Sequence, residues 1–325
     1  MELDGILKIA ASDFAFDPST LAFISDSTNV VYQFYRDGKR HILRLSQRPA
    51  SKLVQIQAEM DWLAYLYDQG ICVSMPVKSV SGELAVGREW EGRHYILCAF
   101  SAASGMPWDR NDPKRWGAKV FLNWGKAMGS LHRVTQKYEP VPGRKRPDFT
   151  GREAVSDSID ACAAVVKVCD GLIPQLLELP KDPDGYGLIH ADLHPWNFFI
   201  DGDRIRIFDF DDSLYGYFVM DIAIALYHGL WWGRTNDAGE DFTEPLISEF
   251  LRGYFSENRL DSFWIPQIVP FMRYRQICRL SWFYDPQKDA QFKDEIEDIV
   301  SQNLFPGCSA AYVDSQIRRA GALAL

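Results

Sequence analysis

The pattern of hydrophobic and polar positions predicts a strand-rich first third of the chain. From residue 1 to about 48, apolar and polar residues alternate in the manner of strands. A helix is predicted at 52–68, where apolar residues recur every three or four positions, and the strand-like pattern then resumes. The predicted strands cover 21–24, 30–35, 41–45, 77–80, 83–87 and 94–100.

The remainder of the chain is predicted to be mainly helical. A small-residue stretch at 101–105 marks a linker after the last of these strands. Asp112 and Pro113 predict an N-cap and the first position of a helix that continues to about 134. Further helices are predicted at 152–169, 171–179, 222–232, 243–255, 264–283 and 287–302.

A compact polar motif lies between these helices, from 186 to 212. An apolar lead-in brings His190 and Asp192 to the start of a loop, which Asn197 closes. Strands are predicted at 198–200 and 205–208, joined by a tight Asp-Gly turn, and Asp209 follows the second strand. Because a hairpin returns to its starting end, we expect Asn197 and Asp209 to lie at the same end of two paired strands.

The spacing of these polar residues indicates phosphoryl transfer. H-x-D-x-x-x-x-N followed by D-F is the pattern of protein-kinase catalytic loops. Such enzymes mainly orient an attacking hydroxyl and stabilise the charge on the phosphates. Magnesium, the ion this chemistry uses, is held by one or two carboxylates together with phosphates and water. A solvated turn with a core histidine is the structural alternative, and it does not explain four polar residues at the required offsets.

The motif also resembles one family. H-A-D-L-H-P-W-N at 190–197, followed by I-F-D-F at 207–210, is similar to the aminoglycoside phosphotransferase and choline kinase family, whose usual wording is H-G-D-L-H-x-x-N and then I-D-F. The D-F-D-D ending resembles a subgroup that includes bacterial stress-response, spore-coat-type and homoserine-kinase-like proteins. The resemblance implies an α+β, bilobal protein-kinase-like fold, with a small β-rich N-terminal lobe at 1–100 that binds nucleotide. A larger, mainly helical C-terminal lobe at 101–325 would carry catalysis and substrate binding.

The resemblance also implies ATP and Mg²⁺ as cofactors and assigns roles in the loop. Asp192 is the expected base for a substrate hydroxyl, and His190 is a second catalytic candidate. Asn197 and Asp209 would hold the metal ion. Asp211 would either assist a second metal ion or cap the following turn.

Nucleotide contacts are expected in the N-terminal lobe. Arg44 occupies the strand position where kinases place a phosphate-pairing lysine, and Glu59 on the predicted helix is its candidate partner. A surface arginine and a solvated glutamate are the structural alternatives. The turn at 25–29 has no glycine, so close backbone approach to phosphate is less assured than in a Gly-rich loop. The remaining predicted contacts are Ser27 and Asn29 of that turn, and backbone groups around Cys98 and Phe100 for the adenine.

Several residues near the motif have expected supporting roles. Asp221 resembles the aspartate at the start of a buried helix in the family, which would brace the catalytic loop. His132 is expected to be structural, and His194 either braces the loop or acts directly. Small-ligand sites combine aromatic walls with few polar groups. The pool of candidate substrate contacts is Trp231, Trp232, Tyr274, Arg275, Trp282, Phe283 and Tyr284.

Composition narrows the choice of partners. The net charge of −9 and pI near 5.2 argue against a general nucleic-acid binder and permit a cationic or amino-acid-like alcohol as substrate. The six cysteines show no zinc spacing and no signal peptide precedes them, which predicts a cytoplasmic protein with reduced thiols. The apolar stretch at 222–232 is too short to span a bilayer, so no membrane partner is expected.

Two rival functions fit the same motif. A serine/threonine protein kinase of the bacterial stress-response type would use the same loop with a different acceptor surface. A catalytically inactive nucleotide-binding scaffold is favoured by the glycine-free turn and the missing lysine, but the base and metal positions are intact. The sequence leaves the acceptor, the choice of ATP or GTP and the oligomeric state open.

Overall fold

The computed structural model describes residues 3–234 and 242–324, and the chain divides into two compact units. The first unit comprises Met1–Gly105, Tyr138–Pro147 and Arg206–Asp211, and the second contains the remaining segments. Two short segments from later in the chain therefore belong to the first unit, which the hydrophobic pattern did not indicate.

An antiparallel sheet forms most of the first unit. Its strands follow the order β1-β2-β3-β6-β4, and β5 also pairs with β6. The predicted strand at 77–80 is shorter in the structure, because Ser79 leaves the sheet and its N–H donates to the carbonyl of Glu83. The strands are β1 (Ala22–Asp26), β2 (Val30–Arg36), β3 (Lys39–Gln47), β4 (Pro76–Val77), β5 (Ala85–Trp90) and β6 (Arg93–Ser101).

Two helices pack in the first unit. The alternation predicted from residue 1 was wrong over α1 (Asp4–Asp13). Ile6 and Ala10 recur at a helical spacing, and both are fully buried in the sheet's main core cluster. The helix predicted at 52–68 is confirmed as α2 (Leu53–Asp68), which also buries the charged side chain of Glu59 completely.

The second unit is mainly helical. Within it α3 packs on α6, α5 and α4 on α7, and α9 on α6. Its helices are α3 (Ala118–Thr135), α4 (Ala163–Leu177), α5 (Phe218–Arg234), α6 (Thr243–Glu257), α7 (Ile268–Phe283), α8 (Lys293–Val300) and α9 (Ala310–Ala324).

Three two-stranded sheets accompany these helices. The predicted hairpin is present as β8 and β9, and the last two residues of β9 belong to the first unit. The lead-in to the polar motif, β7, pairs antiparallel with β10. The strands are β7 (Tyr186–Ile189), β8 (Phe198–Asp201), β9 (Arg204–Ile207), β10 (Leu214–Tyr217), β11 (Asn303–Phe305) and β12 (Cys308–Ser309).

Helix boundaries differ from the predictions where polar side chains close turns. Asp112 does not begin α3, because its carboxylate accepts from the Lys114 N–H and Arg115 Nε and so closes a separate turn. The two helices predicted at 152–169 and 171–179 are replaced by a single helix, α4, and the prediction was wrong over 152–162, which contains only a 3₁₀ helix at Asp157–Ala161. None of the helices in the described ranges combines the length and apolarity needed to cross a membrane.

Helices α3 and α6 approach closely where a glycine of each helix lies against the backbone of the other. A Cβ at Gly253 would lie 2.0 Å from the carbonyl oxygen of Leu122, and one at Gly125 would lie 1.9 Å from that of Phe250. Backbone atoms cannot rotate away as a side chain can. The helix crossing therefore requires glycine at both positions.

We expect Gly253→Ala to lower the free energy of unfolding by about 2–3 kcal/mol, because the added methyl group forces the two helices apart. Gly171→Ala is the matched control. Gly171 is an exposed residue inside α4, and a Cβ added there would meet no atom within 4 Å, so the change should stabilise the protein by about 0.5–1 kcal/mol. Chemical denaturation measures both, and equal effects would contradict the glycine-dependent crossing.

Candidate active site

The polar loop after β7 is fixed by a buried carboxylate. Asp221, in the first turn of α5, accepts hydrogen bonds from the backbone N–H groups of His190 at 2.9 Å and Ala191 at 2.7 Å. His132 Nε2 lies 3.1 Å from the same carboxylate, and its Nδ1 lies 2.9 Å from the hydroxyl of Tyr254. Asp221, His132 and His190 have no exposed surface. The predicted bracing contacts of Asp221 and the structural position of His132 are therefore present.

Ala191 adopts a backbone conformation that favours glycine. Its φ is 63°, at the position where the family's usual wording has glycine. A left-handed conformation costs a residue with a Cβ about 1–2 kcal/mol, so neighbouring contacts have to impose it. The two hydrogen bonds to Asp221 supply that constraint and turn the chain sharply before Asp192.

The side chain of His190 contributes to this turn. Its side chain is fully buried, and its Nδ1 accepts from the backbone N–H of Asp192 at 3.3 Å. Burial of this side chain favours a role in positioning the loop, and the expected catalytic role of His190 stays a prediction.

The carboxylate of Asp192 receives three donors within the second unit. Arg275 Nη2 donates to Oδ1. Asn197 Nδ2 donates to Oδ2 at 2.9 Å, and His194 Nε2 lies 3.3 Å from the same oxygen. A carboxylate offers about four lone-pair positions. Oδ2 is thus fully used, and Oδ1 keeps one position for a further donor.

These contacts also fix the charge of Asp192. Burial raises the pKa of this carboxyl, but Arg275 and then His194 outweigh burial and hold the pKa well below its usual range. Asp192 is therefore ionised at neutral pH and is a weak base. Its geometry suits orienting a hydroxyl and offsetting developing positive charge.

Asn197 and His194 are each held in one orientation. Asn197 Nδ2 also donates to the backbone carbonyl of Asp192 at 2.9 Å, so its Oδ1 turns away from that residue. An amide oxygen presented in this way suits a hard cation. The Trp196 N–H donates to His194 Nδ1 at 3.2 Å, so the proton of a neutral His194 is on Nε2, facing Asp192.

Arg275 and His228 join this cluster from two helices. Arg275 Nε donates to His228 Nε2 at 2.8 Å, which places the histidine proton on Nδ1. Burial and the arginine charge hold the pKa of His228 well below its usual value, so the ring is neutral. Sequence reasoning put Arg275 only in the pool and missed His228. The available signal was a single histidine within the apolar stretch 222–232.

In the first unit, Arg44 and Glu59 form a two-pronged ion pair. Both Arg44 Nη1–Glu59 Oε1 and Nη2–Oε2 are 2.8 Å, and the side chains are 6% and 0% exposed. The predicted pairing is therefore present. Its geometry is the parallel fork that makes arginine unlike lysine at such a position.

Asp211 anchors the glycine-free turn. Arg48 Nη1 and Nη2 donate to its two carboxylate oxygens at 3.1 and 2.5 Å, and Asn29 Nδ2 donates to Oδ2 at 3.1 Å. Ser46 Oγ in turn donates to Asn29 Oδ1 at 2.6 Å. Burial raises the pKa of Asp211, but Arg44 and Arg48 lower it further. Arg48 was missed, although it directly follows β3 and continuing the alternation of that strand places it on the same face as Arg44 and Ser46.

This network bears on the expected metal ligands. Asp211 is 9% exposed and its oxygens face two arginines, so it does not fit a site for a cation. Asp209, by contrast, is exposed, with φ 65°, while the next residue, Phe210, is buried edge-on against Trp62. Within the described chain, no group of three or more His, Cys, Asp or Glu side chains could hold a metal ion by itself.

The backbone of Cys98 and Phe100 is not available to adenine. Cys98 pairs with Arg44 and Phe100 with Ile42 along β3, so their polar groups belong to the sheet. The Ala102 N–H likewise donates to the carbonyl of Arg40. This pairing argues against the predicted adenine contacts, although both residues already lay within the strand predicted at 94–100. Ser27 is exposed on the turn, and its N–H donates to the Asn29 carbonyl at 3.3 Å.

We expect Asp221→Ala to lower the free energy of unfolding by about 3 kcal/mol, because two buried N–H groups lose their acceptor. Asp203→Ala is the control, since Asp203 is 74% exposed and its ion pair with Lys119 is screened by water. Urea denaturation of the two variants beside the wild type measures the difference. If they unfold alike, Asp221 does not brace the loop.

Known proteins are similar to this chain in sequence and in fold. Amicoumacin kinase of Bacillus subtilis (strain 168) is 34% identical over 278 residues, which cover 84% of this chain and 82% of that protein. The amicoumacin kinase hAmiN, solved in complex with AMP-PNP, Ca²⁺ and Ami, superposes with a TM-score of 0.84 at 30% identity, covering 94% of this chain and 96% of that one. A microcompartment-associated aminopropanol kinase shares the fold, with a TM-score of 0.72, 20% identity and 98% coverage of both chains.

These likenesses confirm the predicted kinase-like α+β fold. The model of one family, described as the phosphotransferase enzyme family, matches residues 20–263. That range includes the strand bearing Arg44, the loop of Asp192 and the hairpin that ends at Asp209. The chain belongs to the phosphotransferase enzyme family, as its motif predicted, and is a kinase that phosphorylates hydroxyl groups.

Proposed function

We propose that this protein transfers the γ-phosphoryl group of ATP to a hydroxyl group of a small molecule, with Asp192 contacting that hydroxyl. The observation that carries the proposal is the carboxylate of Asp192, which three donors fix in place while Oδ1 keeps one open lone-pair position. An acceptor hydroxyl that donates to Oδ1 is oriented for attack. Because phosphoryl transfer proceeds through a loose transition state, a weak base in the right position is sufficient.

Asn197 and Asp209 are the proposed ligands of magnesium. The amide of Asn197 points its oxygen away from Asp192, and the carboxylate of Asp209 is exposed, so both side chains suit a hard cation. When bound, the metal ion neutralises charge on the phosphates. The hAmiN complex contains AMP-PNP and a divalent cation, which supports ATP and magnesium as the pair used here.

The first unit supplies the proposed nucleotide contacts. Arg44, held by Glu59, steadies the phosphates from a fixed position. The turn carrying Ser27 and Asn29 covers them, and Asp211 positions this turn in place of binding a second metal ion. For the adenine, the segment that follows Ala102 replaces the strand residues as the proposed source of backbone contacts.

The acceptor is proposed to be a small molecule. The extent of similarity to amicoumacin kinase makes amicoumacin the first acceptor to test. Amino alcohols and hydroxy amino acids follow, because an aminopropanol kinase shares the fold. All six cysteines are free thiols, which supports a reducing, cytoplasmic location.

The first experiment measures ATP consumption with magnesium across amicoumacin, amino alcohols, hydroxy amino acids, choline, sugars and aminoglycosides. We expect one class to raise turnover. Turnover with a peptide library and no small alcohol would favour the protein-kinase alternative. Failure to bind magnesium-ATP would overturn the proposed function.

Asp192→Ala is expected to lower kcat by about 10²–10⁴-fold, because the acceptor hydroxyl loses its orienting carboxylate. Nucleotide binding should persist, since Asp192 is not a proposed nucleotide contact. Steady-state kinetics and calorimetric titration with AMP-PNP measure the two effects. Asp184→Asn, which changes an exposed carboxylate in the preceding turn, serves as the control. Retention of kcat in the Asp192 variant would contradict the assigned role.

Asp209→Ala and Asp211→Ala are expected to affect different kinetic properties. The first should raise the magnesium concentration needed for half-maximal activity. The second should leave that concentration unchanged and raise KM for ATP, because the turn loses its anchor. Asp211→Asn should give an intermediate KM, since its amide oxygen can still accept one of the hydrogen bonds. An equal rise in the magnesium requirement for both alanine variants would restore Asp211 as a metal ligand.

A further inference from the structure

Arg275 places unused hydrogen-bond donors beside the open lone-pair position of Asp192. Its guanidinium has five N–H groups. One, on Nε, donates to His228, and one, on Nη2, donates to Asp192. Among the described residues, Nη1 has no hydrogen-bond partner, and it is not one of the fully buried unsatisfied atoms, so solvent reaches it.

The guanidinium is held firmly in this position. Arg275 is 5% exposed, and its Cζ lies 4.6 Å from the ring centroid of Trp282. The fixed, neutral His228 holds Nε from one side and Asp192 holds Nη2 from the other. A buried arginine with a free edge is well suited to bind an oxygen of a ligand, because its donors do not need to be reorganised.

The position of this edge restricts the acceptor. The acceptor hydroxyl is expected at Oδ1 of Asp192, the same oxygen that Arg275 contacts. A second oxygen of the same molecule, two to four bonds from the carbon that bears the hydroxyl, can then reach Nη1. A positively charged group at that place would instead meet the guanidinium charge.

We infer that the acceptor carries a carbonyl or carboxylate oxygen close to the hydroxyl that is phosphorylated, and that Arg275 binds this oxygen. The inference rests on the proposed function and adds the class of acceptor, namely hydroxy acids and hydroxy amides. Arg275 is then a specificity-determining residue as well as a positioning residue for Asp192. Charge-assisted hydrogen bonds of this kind are among the stronger contacts in proteins.

Three pairs of alcohols that differ only by a carboxylate test the inference. They are L-threonine and 1-aminopropan-2-ol, L-homoserine and 3-aminopropan-1-ol, and L-serine and 2-aminoethanol. With magnesium-ATP and the full-length wild type, we expect kcat/KM to be about tenfold or more higher for the carboxylate-bearing member of at least one pair. L-Threoninamide, with a neutral carbonyl, should be intermediate in its series.

Arg275→Met should lower kcat for both members of a pair, because Asp192 loses a contact, and should bring their kcat/KM ratio close to one. Loss of the contact to Asp192 affects both alcohols of a pair equally, so it cancels in their kcat/KM ratio. A change in this ratio therefore reports on binding of the carboxylate by Arg275. Arg275→Lys keeps the charge without the fork and should retain part of the preference. Arg279→Met, one helical turn away, is the control. Arg279 stacks on Trp231 in the same manner but pairs with Glu295, so the ratio should remain that of the wild type.

Equal or higher kcat/KM for the members without a carboxylate would overturn the inference and leave the proposed function intact. The same holds if the wild type phosphorylates other alcohols but none of the carboxylate-bearing ones. Absence of phosphorylation of every alcohol, with magnesium-ATP bound, would count against the proposed function itself. Thermal unfolding of each variant shows whether a variant that has lost the preference for the carboxylate is still folded.

Discussion

The hydrogen bonds from two backbone N–H groups to the buried carboxylate of Asp221 are the interaction on which the catalytic loop depends. They hold Ala191 in a left-handed conformation that its side chain disfavours, and so they set the direction in which the chain leaves β7. The backbone N–H of Asp192 then donates a hydrogen bond to His190 Nδ1, and Asn197 Nδ2 donates to the carboxylate of Asp192, which orients the amide. The side chains of Asp192 and Asn197 are thus oriented by contacts within a loop that Asp221 holds from the buried side.

Buried or half-buried arginines organise both units by the same physical means. Arg44 binds Glu59, Arg48 binds Asp211, and Arg275 binds Asp192. In each case the guanidinium fixes the direction of a carboxylate, and beside Asp192 and Asp211 its charge also lowers the pKa of the carboxyl. Buried ion pairs add little net stability, so their value here lies in the geometry that they impose.

The sequence predicted most of what depends on local pattern and motif spacing. The sheet strands, α2, the β8–β9 hairpin and the Arg44–Glu59 pair all follow from periodicity or from the family motif. It failed where side-chain contacts that periodicity does not encode decide the structure, whether they are local or distant. Asp112 looked like a helix cap until Arg115 and Lys114 took its oxygens. Asp211 looked like a metal ligand because Arg48, far away in sequence, could not be assigned to it.

The interleaving of the two units has a consequence for how the protein can be divided. Three segments of each unit alternate along the chain, so the chain passes between the units five times. A polypeptide ending at residue 100 would contain every strand of the six-stranded sheet except part of β6 but would lack Asp211, whose side chain ties Asn29 to Arg48. It would also lack Arg146, which donates to the Asp211 carbonyl and to that of Gln55. The first unit is therefore not a module that evolution could exchange by joining gene fragments end to end, because it is complete only after the β8–β9 hairpin has been synthesised.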